Sequence, residues 1–187
     1  VSEFTAIIFS VVLGTSAGLT MQPNKKGFEV TPKAIIFDID GTLADSWKLG
    51  FDATLVVLEN NGIPLIDEAT YHECTKFSTP QRLARHAGLE PIIPAQNDKA
   101  LENNLLFEKT GNKLAIEFDE LYVGLVTTQT AGFFPGIQDV LEKISSTQPS
   151  TKVGCLTNAC VAYAHAVLKA NDSETNQNLG LVKMCES

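Results

Sequence analysis

One apolar run that ends in two aspartates, AIIFDIDGTLADS at residues 34–46, constrains this chain more than any other feature. Residues 34–37 are all apolar, which is typical of a strand buried on both faces of a parallel sheet. Asp38 and Asp40 follow at the carboxyl end, where two nearby carboxylates repel each other and are partly removed from water. A cation or a reaction must offset that cost, so the stretch predicts an α/β fold with a functional site at the strand end.

The residues around the two aspartates have the chemistry of a phosphate site. Two carboxylates suit a hard divalent cation such as Mg2+, which prefers oxygen ligands and keeps several waters. Gly41 permits a sharp turn whose backbone N–H groups, together with the hydroxyl of Thr42, can bind an anion. One aspartate can attack phosphorus directly, and a second one nearby can protonate the leaving oxygen. The pattern therefore predicts a nucleophile, a metal ion and an anion-binding turn within one site.

Between this strand and about residue 130 the chain has the pattern of helices. Apolar residues recur at helical spacing, and caps or stop signals separate the segments. The predicted helices are residues 47–60, 67–77, 79–87 and a segment around residues 114–125. Within this block, Arg82 and Arg85 lie three residues apart, which favours a solvated basic face over a contact with a substrate carboxylate or phosphate. His72, His86 and His165 are scattered and are interpreted as surface or capping residues.

The pattern changes again after residue 130. Residues 137–144 predict a helix after Pro135-Gly136, residues 152–156 predict a short strand, and residues 160–170 predict a further helix. This order indicates an α/β core with a helical module inserted after its first strand. Thr157 and Asn158 then follow a second strand, and ligands of open α/β sheets bind at such ends. Taken alone, the pair also fits a simple strand-to-helix turn.

These motifs carry a resemblance to a known family. AIIFDIDGTLADS resembles the first signature of the haloacid dehalogenase superfamily, in the DxDGTLxDS form of its phosphatases, especially the phosphoglycolate-phosphatase-like group. FFPGIQDVLEKI and VGCLTNA, which follow the helical block, are similar to the later parts of the same pattern. The resemblance implies a Rossmann-like parallel core of residues 34–46 and 131–187, an all-helical cap of residues 47–130, and an apolar N-terminal segment and linker of residues 1–33.

The resemblance also implies roles for individual residues. Asp38 would be the nucleophile and Asp40 the general acid and base, while the Asp38 carboxylate and the Asp40 backbone carbonyl would bind Mg2+. Gly41, Thr42, Thr157 and Asn158 would bind the substrate phosphate. The implied activity is a Mg2+-dependent phosphatase that acts on a small phosphorylated metabolite such as phosphoglycolate, through an aspartyl-phosphate. A phosphomutase and a non-catalytic remnant are the alternatives.

Ser46 has two interpretations that the sequence leaves open. The residue could contact the site at the hinge between core and cap, or it could cap the helix that follows.

Composition excludes one class of partner. Fourteen Lys and Arg residues against 22 Asp and Glu give a net charge of -8, and no basic cluster stands out, so a nucleic-acid partner is not expected. The four cysteines have neither CxxC nor zinc-ligand spacing, which is typical of reduced structural thiols in a cytoplasmic protein.

Both ends of the chain depart from the family pattern. Residues 5–21 carry no charge and could be part of a targeting segment or a membrane anchor, or could precede a natural start at Met21. The family's third signature, a lysine, and its fourth, an acidic pair, have no convincing match; Lys183 is the candidate for the lysine. Residues 171–187 are therefore expected to be an aberrant end of an incomplete core, and the chain is expected to be poorly stable and weakly active.

Overall fold

A parallel sheet forms the base of the structure, a computed structural model that describes residues 6–8 and 32–173. Its described strands are β1 (Ala6–Ile8), β2 (Ala34–Asp38) and β3 (Lys152–Leu156), with β2 in the centre. The predictions of β2 and β3 are confirmed. β1 was not predicted, because three residues are too short for a periodic signal. Residues 171–173, which were predicted to begin an aberrant end, instead complete the last helix, Val161–Ser173, in which Asn171 is buried. The other predictions for the two ends, including Met21 and Lys183, lie outside the described residues.

Six helices accompany the strands within residues 32–173. They are α1 (Trp47–Asn60), α2 (Glu68–Cys74), α3 (Thr79–His86), α4 (Asp98–Gly124), α5 (Ile137–Thr147) and α6 (Val161–Ser173). Every predicted helix is present, although α4 begins well before its predicted apolar stripe. Its start is set by Asn97, whose side chain accepts a hydrogen bond of 2.9 Å from the backbone N–H of Ala100. None of the helices in this part of the chain is long and apolar enough to cross a membrane.

The core divides into two clusters of buried residues. Ile35 and Phe37 of β2 pack with Leu141 of α5 and Leu168 of α6. The larger cluster joins the turn after β2 to α1, α3, α4 and α6; its largest fully buried members include Tyr163, Phe118, Ile39, Leu83 and Leu114. The helices between β2 and residue 130 therefore share apolar contacts with the helix that follows β3. These contacts hold the end of β2 beneath α4.

The two chain segments that lead into and out of the helical block lie side by side. The backbone N–H of Asp45 donates to the Gly132 carbonyl at 2.9 Å, and that of Phe134 donates to the Leu43 carbonyl at 2.9 Å. Buried Asn171 of α6 fixes the segment that leaves the helical block. Its side chain accepts a hydrogen bond from the Phe133 N–H at 2.9 Å and donates one to the Ala131 carbonyl at 3.0 Å. This bonding orients the turn after β2.

Candidate active site

The ends of β2 and β3 form the floor of a pocket of about 440 Å³. In the parallel register Asp38 lies opposite Leu156, so Thr157 is one residue beyond that pair. Asp38, Asp40, Thr157 and Asn158 all line this pocket. The prediction that Asp38 and Thr157 lie at the carboxyl ends of adjacent parallel strands is confirmed.

The Asp38 carboxylate stands at the end of β2 and is open to solvent on one side. Its Oδ1 accepts a hydrogen bond of 2.9 Å from the backbone N–H of Ile39. Partial burial by the pocket walls raises the pKa of this carboxyl, the hydrogen bond from Ile39 opposes that shift, and the nearby Asp40 charge adds to it. The expected repulsion between the two carboxylates is thus present, and a cation or an electrophilic phosphorus in the pocket would relieve it.

The Asp40 carboxylate lies among hydroxyl groups. Its Oδ1 accepts from Ser46 Oγ at 2.5 Å, Tyr163 Oη at 2.7 Å and Tyr122 Oη at 3.3 Å, and its Oδ2 accepts from Thr157 Oγ1 at 3.3 Å. Burial, with the negative charge of Asp40, raises the pKa of both phenols, so both remain protonated donors. Ser46 precedes α1 but makes no capping hydrogen bond with its side chain, so of its two interpretations the contact with the site is the one observed.

Thr157 makes the hydrogen bond of a strand-to-helix turn and also contacts Asp40. Its hydroxyl contacts Asp40, and it also accepts a hydrogen bond of 3.0 Å from the backbone N–H of Ala159, as in a strand-to-helix turn. Asn158, the next residue, is exposed at the pocket floor. The turn therefore presents one hydroxyl and one amide side chain to the pocket.

The turn after β2 presents Gly41 but not Thr42. Gly41 has a φ of 73°, a conformation that glycine adopts without strain, and it lines the pocket. Thr42 is 8% exposed and does not line it. The hydroxyl of Thr42, which was predicted to bind phosphate, lies in the packed turn instead.

Arg82 of α3 forms part of the opposite wall, and the prediction of a solvated basic face is wrong for it. The residue is 8% exposed, and its guanidinium lies between the rings of Tyr71 and Phe118, at 5.1 and 4.9 Å from their centres. Its Nη1 donates to Tyr71 Oη at 3.0 Å, whereas its Nε is buried and has no hydrogen-bond partner among the described residues. Amphipathic periodicity placed the residue on a helix but could not show which side faces the neighbouring helices. The positive charge of Arg82 on the pocket wall suits an anionic group in the pocket.

His86, on the same helix, is also buried, contrary to the expected surface or capping role. Burial, together with the adjacent Arg82 charge, lowers its pKa from 6.5 to about 4. The ring stacks against Tyr71 at 6.4 Å between centres. His86 is therefore a neutral packing residue at neutral pH and does not line the pocket.

The donors at the pocket floor fit Mg2+ in chemistry but supply few ligands. The Asp38 carboxylate and the Asp40 carbonyl are hard oxygen donors of the kind this ion prefers. Within residues 32–173 no group of three or more His, Cys, Asp or Glu side chains could hold a metal ion. Water and a substrate phosphate would therefore supply further ligands, which Mg2+ accepts.

Two residues of the site carried no signal in the sequence. Tyr122 and Tyr163 have the spacing of ordinary buried helix residues, and they reach Asp40 across 82 and 123 positions of sequence. Their rings stack at 4.1 Å between centres with an angle of 14° between their planes. Their role as donors to Asp40 depends on how α4 packs against α6.

The structure combines a parallel sheet, acidic residues at the strand ends and a pocket wall made of helices. A family model for haloacid dehalogenase-like hydrolases matches residues 35–176. The chain belongs to this family, and the predicted fold class is confirmed.

Three solved structures of other proteins illustrate the shared fold. CbbY from Rhodobacter sphaeroides, crystallised with phosphate, is 20% identical, with a TM-score of 0.58 over 79% of this chain and 60% of that one. A predicted phosphoglycolate phosphatase from Haemophilus somnus is 19% identical, with a TM-score of 0.55 over 80% and 59%. A hydrolase from Pseudomonas syringae is 22% identical, with a TM-score of 0.52 over 76% and 56%. The chain thus spans about three fifths of the length of these proteins. A comparison with curated proteins gave no match.

Proposed function

We propose that the chain carries the catalytic aspartates of a Mg2+-dependent phosphatase that acts on a small phosphorylated metabolite. The observation that carries the proposal is the convergence of Asp38, Asp40, Thr157 and Asn158 on one pocket at the ends of adjacent parallel strands. Membership of the haloacid dehalogenase-like hydrolases supports the same reaction class.

In this proposal Asp38 is the nucleophile. One of its carboxylate oxygens forms a bond to phosphorus while the bond between phosphorus and the leaving oxygen breaks, which gives an aspartyl-phosphate. Asp40 donates a proton to the leaving oxygen, and in the second step it takes a proton from the water that attacks the aspartyl-phosphate. Inorganic phosphate leaves, and both carboxyl groups return to their starting states.

The polar groups at the floor hold the phosphoryl group during these steps. The Asn158 amide can donate to phosphate oxygens from the turn after β3, and the Thr157 hydroxyl can do so when it leaves its 3.3 Å contact with Asp40 Oδ2. Gly41 lines the pocket from the turn after β2, but its N–H donates to the Ala44 carbonyl at 2.9 Å. Mg2+, bound by the Asp38 carboxylate and the Asp40 carbonyl, would neutralise the charge of the phosphate. Thr42 is left out of this set because it does not line the pocket.

The opposite wall favours a substrate with a second anionic group. Arg82 brings the positive charge of its guanidinium to the wall of a pocket that also contains two carboxylates. A carboxylate or a second phosphate on the leaving group can accept a hydrogen bond from this cation. Phosphoglycolate, which carries a carboxylate, is the leading candidate of this class. One solved relative, CbbY, has been crystallised with xylulose-(1,5)-bisphosphate, a sugar that carries two phosphates.

The test is phosphate release by the purified 187-residue chain, with and without Mg2+. The wild type should hydrolyse phosphoglycolate only with the metal, and Asp38→Asn should lower kcat by about a thousandfold or more because it removes the nucleophile. Asp52→Asn is the matched control, since this exposed aspartate of α1 lies outside the pocket and pairs with Lys48 on the same helix. Equal phosphate release by Asp38→Asn and wild type would refute the role of Asp38, and no release by folded wild type would refute phosphatase activity of this chain.

A further inference from the structure

Three hydroxyl groups meet at one oxygen of the Asp40 carboxylate. Ser46 Oγ and Tyr163 Oη lie 2.5 and 2.7 Å from Oδ1, and Tyr122 Oη lies 3.3 Å away. Among the residues that the structure describes, the other oxygen, Oδ2, receives one hydroxyl, that of Thr157 at 3.3 Å. The two oxygens of this carboxylate are therefore in very different surroundings.

The difference decides which oxygen can carry a proton. An unprotonated Oδ1 accepts from all three hydroxyls, and hydrogen bonds to a carboxylate are stronger than those between neutral groups. A proton on Oδ1 would point at one of these hydroxyl oxygens and would displace at least one short bond. A proton on Oδ2 disturbs only the longer contact with Thr157. The proton that Asp40 gives or takes therefore belongs on Oδ2.

Tyr163 is the best placed of the three hydroxyls to fix this orientation. Its side chain is 0% exposed, and its ring stacks on Tyr122. It also lies near the start of α6, directly after the turn that presents Thr157. Ring packing and backbone position thus hold its hydroxyl against Oδ1, so the carboxylate cannot rotate without breaking a bond of 2.7 Å.

We propose that Tyr163 is a positioning residue that holds Asp40 by Oδ1 and leaves Oδ2 to exchange the proton with the leaving oxygen and with water. The inference rests on the proposed function, in which Asp40 is the general acid and base. In the first step the proton on Oδ2 passes to the leaving oxygen as its bond to phosphorus breaks. Tyr163 remains a donor throughout and neither gains nor loses a proton.

The test compares two substrates whose leaving groups differ in their need for protonation. The leaving alkoxide of phosphoglycolate is a strong base and needs the proton from Asp40, whereas the nitrophenolate of p-nitrophenyl phosphate leaves readily without it. Tyr163→Phe retains the ring and removes only the hydroxyl. It should lower kcat/KM, which reports the steps through departure of the leaving group, by about tenfold or more for phosphoglycolate and by less than about threefold for p-nitrophenyl phosphate.

Tyr122→Phe provides a graded comparison, because it removes a longer contact, 3.3 Å, from the same oxygen. It should change the ratio of the two kcat/KM values less than Tyr163→Phe does. A purely structural role for Tyr163 predicts equal losses in kcat/KM with both substrates, and that result would overturn the inference while the Asp38 phosphatase remains. Absence of Asp38-dependent phosphate release in the wild type would overturn the proposed function and the inference together.

Discussion

Gly111 lies at a close approach between α4 and α3, and its replacement by alanine should loosen the wall of the pocket. A Cβ atom at this position would lie 2.3 Å from the carbonyl oxygen of Pro80 and 3.2 Å from the Cβ of Ala84. The first distance must grow to at least 3.0 Å, so the two helix backbones must separate by about 0.7 Å. Arg82 lies between Pro80 and Ala84 on α3, so the same shift would move its guanidinium.

The expected magnitude follows from two opposing effects. Overpacking of this kind costs about 1–3 kcal/mol, and the upper half of that range applies here because the clash is with backbone and cannot be relieved by a side-chain rotation. Replacing a glycine in a helix interior by alanine returns up to about 1 kcal/mol. The net loss should be about 2 kcal/mol in the free energy of unfolding, or roughly 4–8 °C in Tm for a chain of this size.

The assay is urea unfolding monitored by far-ultraviolet circular dichroism, with Tm measured in parallel. Gly124→Ala is the matched control, because it changes the last residue of the same helix, where an added Cβ meets nothing within 4 Å. The control should be unchanged or more stable by less than about 1 kcal/mol. Equal stability of Gly111→Ala and Gly124→Ala would refute the inferred close packing of α3 on α4.

Two further predictions concern stability. Because His86 stays neutral in the fold down to a pKa of about 4, while the unfolded chain binds a proton below about 6.5, the free energy of unfolding should fall as pH decreases through this window. His86→Phe should abolish up to about 3 kcal/mol of the fall between pH 7 and pH 4, and an unchanged pH dependence would contradict the assignment. Asn171→Ala should cost about 2–3 kcal/mol by urea unfolding, because the backbone partners at Phe133 and Ala131 lose their hydrogen bonds. The exposed control Asn112→Ala should change stability by less than about 0.5 kcal/mol, and equal losses would show that the Asn171 bonds add nothing.

The local pattern was enough to predict much of the fold. β2, β3 and the six helices follow from apolar periodicity and from stop signals such as Asn61-Gly62, all of which act over a few neighbouring residues. The meeting of Asp38 and Thr157 was also predictable, because each directly follows a strand and parallel strands end at the same edge.

Other features depended on contacts that the local pattern does not contain. Arg82 was predicted to be solvated and is buried, because the faces of α3 that meet Tyr71 and Phe118 are set by helix packing. Thr42 was predicted to face an anion and instead lies in the turn, since its neighbours Leu43 and Ala44 are drawn into the core. In both cases the residue type indicated a polar contact, but the local pattern could not show which way the side chain points.

The sequence by itself therefore determined where the strands end and which carboxylates lie there. Two aspartates at the end of a buried strand are costly unless a functional site needs them. Only the tertiary structure decided what surrounds those carboxylates. Tyr122 and Tyr163 come from distant helices, and each would be an ordinary core aromatic if α4 and α6 did not meet above Asp40. The physical reason is that strand and helix formation depend on neighbours in sequence, whereas hydrogen bonding at the site depends on how separate elements pack.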